Sequence, residues 1–339
     1  MVHLEAVQAS NRRIASIFGP GLVAMFVGGT SGVGETTLKQ FAKHALRPRV
    51  YLVGRSQEAA SRIKAECKAL NPEGEFIFIK KDTSLLRNVD LVCDEIKSKE
   101  KSINLLFLTV GTLQTGIKTE EGLHYAAALV LYCRHRFISN LLLLIQVAPG
   151  LRRVVTTFVA TMEGTILKDD IQLWNRNLMR YRGHAASVVS LALEKHAKDA
   201  PEVSFIHNFP GPVKSRIARG TGGILGSVFR GVYGLFGSLV QMPFADAGDR
   251  HVFLATSARY PASGMENQVD GVPIADGDQV AKGTDGRLGS GLYSIDMFGE
   301  SAKPEVYEVL EKYRKEGMVD WVWQNLEDEF VRVTGKKVG

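Results

Sequence analysis

The stretch Val27 to Phe41, VGGTSGVGETTLKQF, carries the first chemistry legible in the chain: binding of phosphate by bare backbone. Counted from Gly29 it reads G-x-x-x-x-G-E-T, a nucleoside-triphosphate loop in which Glu35 stands where lysine belongs. That lysine sets an ammonium against the outer phosphates. A carboxylate there repels them, and Lys39 falls one helical turn further on. Triphosphate hydrolysis is therefore rejected. Counted from Gly28 the spacing is G-x-x-x-G-x-G, completed by Gly32 and Gly34. This suits a dinucleotide pyrophosphate. Gly28 permits the tight turn, Gly32 lets amides approach the phosphates, and Gly34 lets a helix pack closely on the sheet. Thr30, Ser31 and Val33 make up the rest of the cradle.

The next apolar run ends in LVGRS. An acidic residue there would grip a free ribose 2′-OH. Arg55 and Ser56 suit a 2′-phosphate instead, so NADP(H) is favoured over NAD(H). Asp82, followed by Thr83, lies just past the third apolar run and is placed to meet the adenine edge.

These loops need strands before them and helices after them, and the chain supplies both. GLVAMFVGG, RVYLVGR, EFIFIKKD, INLLFLTVG, RRVVTTFVAT and VSFIHNFPG read as six strands, with helical patterns between them. The longest helical patterns run over 119–147 and 179–198. Strands alternating with helices predict an α/β fold, a doubly wound parallel sheet. Residues 1–215 are expected to form this domain. Residues 216–260 then make a glycine-rich, apolar lid and a returning helix. Residues 261–339 make a C-terminal extension, first loops or a small hairpin around GSGLYSID, then an amphipathic helix pair broken near Gly317.

Composition narrows the partners. The net charge of +6 comes from scattered residues of both signs, which argues against a nucleic-acid surface. The 3 cysteines lack a C-x-x-C pair and read as free thiols of a reducing compartment. The 8 histidines are dispersed and offer no metal-ligand cluster. No signal-peptide pattern is visible. The apolar stretch LVLYCRHRFISNLLLLIQVA is interrupted by three basic side chains, so no membrane span is expected and a cytoplasmic protein is the default.

The loop, the LVGRS strand end and FPGPVKS together resemble the short-chain dehydrogenase/reductase family over about Leu22 to Ser215. GGTSGVGE, YLVGRS, FPGPVK and GSGLYSID are similar to an extended fungal group, many of whose members belong to secondary metabolism. The resemblance implies that Gly111, in Thr109-Val110-Gly111, stands for the family's N-A-G glycine, and that Pro210, Gly211 and Val213 border the nicotinamide. It also implies a Ser/Tyr/Lys proton relay with Y-x-x-x-K on one helix face. Here the tyrosine is Tyr181, but the lysine position holds Ala185. The serine position falls near Phe158 or Val159, with Thr157 among the nearest hydroxyls, and the relay asparagine has no counterpart near Val130 to Tyr132. His184 is a candidate replacement donor, since it titrates near neutrality. Tyr125 and Tyr132, at i and i+7, are further cavity candidates, and Glu163 is expected in an exposed loop. Family members often pair through the fourth and fifth helices, so a homo-oligomer is possible.

Three functions fit: an NADPH-dependent reductase of an apolar small molecule with an improvised acid, a non-redox cyclase or isomerase, and a silent NADP-binding partner. Turnover separates them. A reductase consumes nicotinamide absorbance, a cyclase forms product without consuming it, and a silent partner does neither.

Overall fold

The strands form where short runs of apolar side chains can be buried on both faces, the condition of a parallel sheet. In a computed structural model the described residues are 2–174, 178–213, 242–264, 271–275 and 277–337. Among them, β1 (Val23–Val27), β2 (Arg49–Gly54), β3 (Glu75–Lys80), β4 (Leu105–Leu108), β5 (Arg153–Thr157), β6 (Ser204–Asn208) and β7 (Leu292–Ile295) make one sheet. Its order is β3-β2-β1-β4-β5-β6-β7, and every neighbouring pair is parallel. The order reverses outward from β1, which opens a crevice at the carboxyl ends of β1 and β4.

Alternation along β1 sends side chains to two cores. Ala24 and Phe26 join the cluster under α1 (Leu4–Arg12), α3 (Gly32–His44), α4 (Gln57–Leu70) and α8 (Phe244–Thr256). Met25 and Val27 join the other cluster. That one lies under α5 (Leu86–Lys99), α6 (Tyr125–Gln146), α7 (Leu178–Asp199), α9 (Pro304–Lys315) and α10 (Met318–Thr334).

One element differs from the sequence expectation, and two were not foreseen. GSGLYSID is a strand, not a hairpin: β7 pairs with β6 in the register Phe205↔Leu292. Four residues are too few for a periodic signal, and only β6 gives them a partner. The helix Tyr125–Gln146 is long and apolar enough to cross a membrane by length and composition, yet 78% of its most apolar window is buried in the fold. The side chains that interrupt it point inward: Arg134, His135 and Arg136 are all buried. Arg136 forks onto Asp90 at 2.7 and 2.9 Å. The N-terminal α1 and α2 (Ile14–Phe18) carried no clear sequence signal. Docking defines α1, where Asn11 Nδ2 donates to Asp249 O on α8 at 2.9 Å. Most of the glycine-rich segment expected as a lid, 214–241, lies outside the described residues.

The C-terminal pair breaks at Gly317, as expected. It lies across α6 and α7, the helices through which the resemblance implied subunit pairing. Phe330 meets the edge of Tyr132, Trp323 meets His196, and Arg314 holds Glu194 at 2.6 Å.

Burial holds five histidines neutral. His135 is pulled down to about 3 and His251 to about 4, and His184, His196 and His207 also fall below the ordinary value. An unfolded histidine titrates near ~6.5, so below that pH the unfolded chain binds more protons and stability falls with pH. Each group contributes up to about 1.4 kcal/mol per pH unit. The raised carboxyls of Glu163 and Glu194 oppose this, two groups against five. The urea midpoint should therefore drop steeply between about pH 6.5 and about pH 5. A flat midpoint across that window would contradict the burial of these rings.

Candidate functional site

The site begins where β1 ends. Gly28 has φ +89°, in the region that favours glycine, and a Cβ there would lie 2.8 Å from both Thr109 Oγ1 and Val110 N. Gly34, in the first turn of α3, packs equally close. Its Cβ would come 2.6 Å from Thr109 Oγ1 and 2.8 Å from Gly28 O. The amino end of α3 is thus pressed against the tips of β1 and β4, and its free amides face the crevice. Glu35 turns away, where Lys39 and Arg62 hold it at 2.6 and 2.8 Å. Burial works to raise its carboxyl pKa, but the hydrogen bonds from Arg62 and Lys39 outweigh burial and keep it low.

A cavity of about 830 Å³ runs along the carboxyl edge of the sheet. Its middle is lined by Gly28, Thr30, Ser31, Gly32 and Val33. Gly34 lies beneath this turn, not on the wall. Past β2 and β3 the wall is Arg55, Ser56, Lys81, Asp82 and Thr83. Arg55 Nη1 donates to Tyr125 Oη at 2.8 Å and stands 3.6 Å from Asp82 Oδ2. Ser56 Oγ caps α4 by accepting the Ala59 N–H at 3.2 Å. Lys81 is a second cation here, which reading from LVGRS alone passed over because it follows a different strand.

Beyond β4, β5 and β6 the wall is Gly111, Thr157, Tyr181, Pro210, Gly211 and Val213, joined by apolar Leu113, Leu129, Phe158, Val159 and Phe209. Tyr181 and Phe158 meet edge to face, with ring centroids 6.3 Å apart. Ala185 is buried one turn beyond Tyr181 and carries no charge. Burial raises the phenol above its ordinary value, and the charge of Arg134 pulls the other way.

Several candidates change role. His184 does not line the cavity. Its Nδ1 accepts the Leu167 N–H at 2.9 Å and its Nε2 faces Ile171 O at 3.0 Å, so both ring nitrogens pin the loop after β5 and neither offers a proton to a substrate. Tyr132 sits under Phe330, away from the cavity, whereas Tyr125 lines it. Glu163 is buried, not exposed: its Oε1 accepts from Ser190 and Ser294, each at 2.7 Å. Among the described residues no group of histidine, cysteine, aspartate and glutamate could hold a metal ion.

The cavity also has a residue that spacing did not single out. The turn Ala128–Tyr132 within α6 is π-helical. An α-helical face would carry Tyr125, Leu129 and Cys133; the extra residue of the wide turn shifts the third place to Arg134. Tyr125, Leu129 and Arg134 all line the cavity.

A dinucleotide-type crevice with a tyrosine at its far end defines the class. Residues 22–126 match the short chain dehydrogenase family. Oxidoreductase AN1596 of Emericella nidulans is 38% identical over 96% of this chain and 97% of its own. Oxidoreductase andH of Emericella variicolor is 35% identical over 93% of each. The chain belongs to the short-chain dehydrogenase family. In fold it resembles the Pseudomonas aeruginosa RhlG/NADP active-site complex, with a TM-score of 0.53, 16% identity, and coverage of 76% of this chain and 96% of that one.

Because a methyl group at residue 34 meets backbone at van der Waals overlap, Gly34→Ala should cost about 1–3 kcal/mol of stability. A thermal midpoint lowered by several degrees is the expected reading; an unchanged midpoint would refute the close packing.

Proposed function

We propose that the protein is an NADP(H)-dependent reductase of an apolar small molecule, acting on a C=C, C=N or C=O bond. One observation carries the reading: a single cavity joins the cations Arg55 and Lys81, the glycine turn and Tyr181. The turn fits a pyrophosphate because its tight approach leaves backbone and no side chain at the crevice floor. Arg55, Ser56 and Lys81 would hold a 2′-phosphate, and Asp82 with Thr83 the adenine side. Gly111, Pro210, Gly211 and Val213 would border the nicotinamide, whose reduced form supplies a hydride.

The volume of about 830 Å³ is within the usual range for small-molecule sites, about 300–1,000 Å³. Leu113, Leu129, Phe158, Val159 and Phe209 give the substrate end an apolar wall, which suits a greasy biosynthetic intermediate. Tyr181 is the proton donor in this reading, with Thr157 beside it. A phenol kept protonated by burial can give a proton to an oxygen that gains charge, but is a poor base for the reverse reaction. The relatives named oxidoreductases, and the NADP complex named above, support the reading.

Arg55→Ala tests the cofactor choice. Loss of a charge-assisted contact of about 1.5–3 kcal/mol should weaken NADPH binding about tenfold or more while NADH binding changes little. Fluorescence titration with both cofactors reads the difference. Equal losses for the two would remove the 2′-phosphate assignment.

A further inference from the structure

Arg134 is the residue in the cavity wall with unspent chemistry. Its side chain is 1% exposed, yet no carboxylate among the described residues pairs with it. Its acceptors are neutral. Nη1 donates to Thr157 O at 3.0 Å and to Thr156 Oγ1, with a long contact to Leu108 O at 3.4 Å; Nη2 donates to Val110 O. Those carbonyls lie at the ends of β4 and β5. They fix the guanidinium without neutralising it. Burial draws its pKa down to about 10, so the group stays cationic at neutral pH.

The position is also specific. Nη2 carries two hydrogens and has one acceptor among the described residues, Val110 O. It lies beside Gly111 on the cavity wall, where a Cβ would be 3.8 Å from it. The guanidinium stands 5.6 Å from the centre of the Phe158 ring, and that ring also meets Tyr181 edge to face. The π-helical turn gives up regular α-helical hydrogen bonding and turns Arg134, instead of Cys133, toward the cavity.

We propose that Arg134 is the oxyanion-stabilising residue of this site, taking the charge role left vacant by alanine at residue 185. The inference rests on the reductase reading. As a hydride adds to the carbonyl carbon, or to the far carbon of a conjugated alkene, the π electron pair moves onto oxygen. The free N–H of Arg134 receives that alkoxide or enolate oxygen, and a proton from Tyr181 or water then completes the O–H bond. The substrate gains two electrons and the dinucleotide loses two. Arg134 Nε is buried with no partner among the described residues, so it and the second Nη2 hydrogen are the N–H groups left open.

The test uses a probe that needs no knowledge of the substrate. Para-nitrophenol ionises near neutrality, and its phenolate absorbs visible light, so bound probe reports directly on a site that favours an oxyanion. Full-length protein saturated with NADP⁺ should lower the apparent pKa of bound probe by about one to two units, a 10- to 100-fold preference for phenolate. Arg134→Met should abolish the shift and Arg134→Lys should keep part of it, with NADPH fluorescence titration confirming that both variants are folded. No shift in the wild type or an equal shift in Arg134→Met would each overturn the proposal. If wild-type protein fails to bind NADPH, the reductase reading falls, and the same titration on cofactor-free protein still judges Arg134.

Discussion

A gap too narrow for one methyl group holds the crevice together. At the tips of β1 and β4, the Thr109 hydroxyl oxygen, the Gly28 carbonyl and the Gly29 Cα leave less than 3 Å for a Cβ at Gly34. Real Cβ atoms do not fit there. The approach sets how far α3 slides along the sheet, and so where its free amides point. It also turns Glu35 outward, into the pocket of charge made by Lys39, Arg62 and Glu66. The same letters that spell a damaged triphosphate loop thus form a sound dinucleotide turn.

The other half of the site depends on polar groups buried at some cost. Arg134 sits in the wall without a counter-charge among the described residues, and His135 and His196 stack at 5.5 Å with near-parallel rings. Isolated buried charge is expensive unless hydrogen bonds offset it. Arg134 meets the cost with strand-end carbonyls, whereas the histidines meet it by staying neutral. Groups of this kind commonly mark places where function has overruled stability, as does a π-helical turn in a helix facing a cavity. The C-terminal pair α9 and α10 closes the far side of these helices, so an apolar helix of membrane-spanning length becomes core.

The alternating strands and helices, the glycine spacing and the arginine after β2 were all legible along the chain, because each is a local pattern of period, turn chemistry or adjacency. The loss of the lysine at Ala185 was legible for the same reason, since i and i+4 on a regular helix are fixed neighbours. What was not legible had nonlocal causes. β7 is a strand because β6 offers it an edge. His184 gave up its proton-donor candidacy to two backbone groups in a loop more than ten residues away in sequence. Arg134 entered the cavity wall because one extra residue in a helical turn shifts every later side chain, and no sequence period announces such a turn. Sequence by itself determined the frame and the glycine turn at the tip of β1. Only tertiary structure decided which charge lines the cavity beside Gly111, since burial and hydrogen-bond partners are properties of neighbours that the chain order does not record.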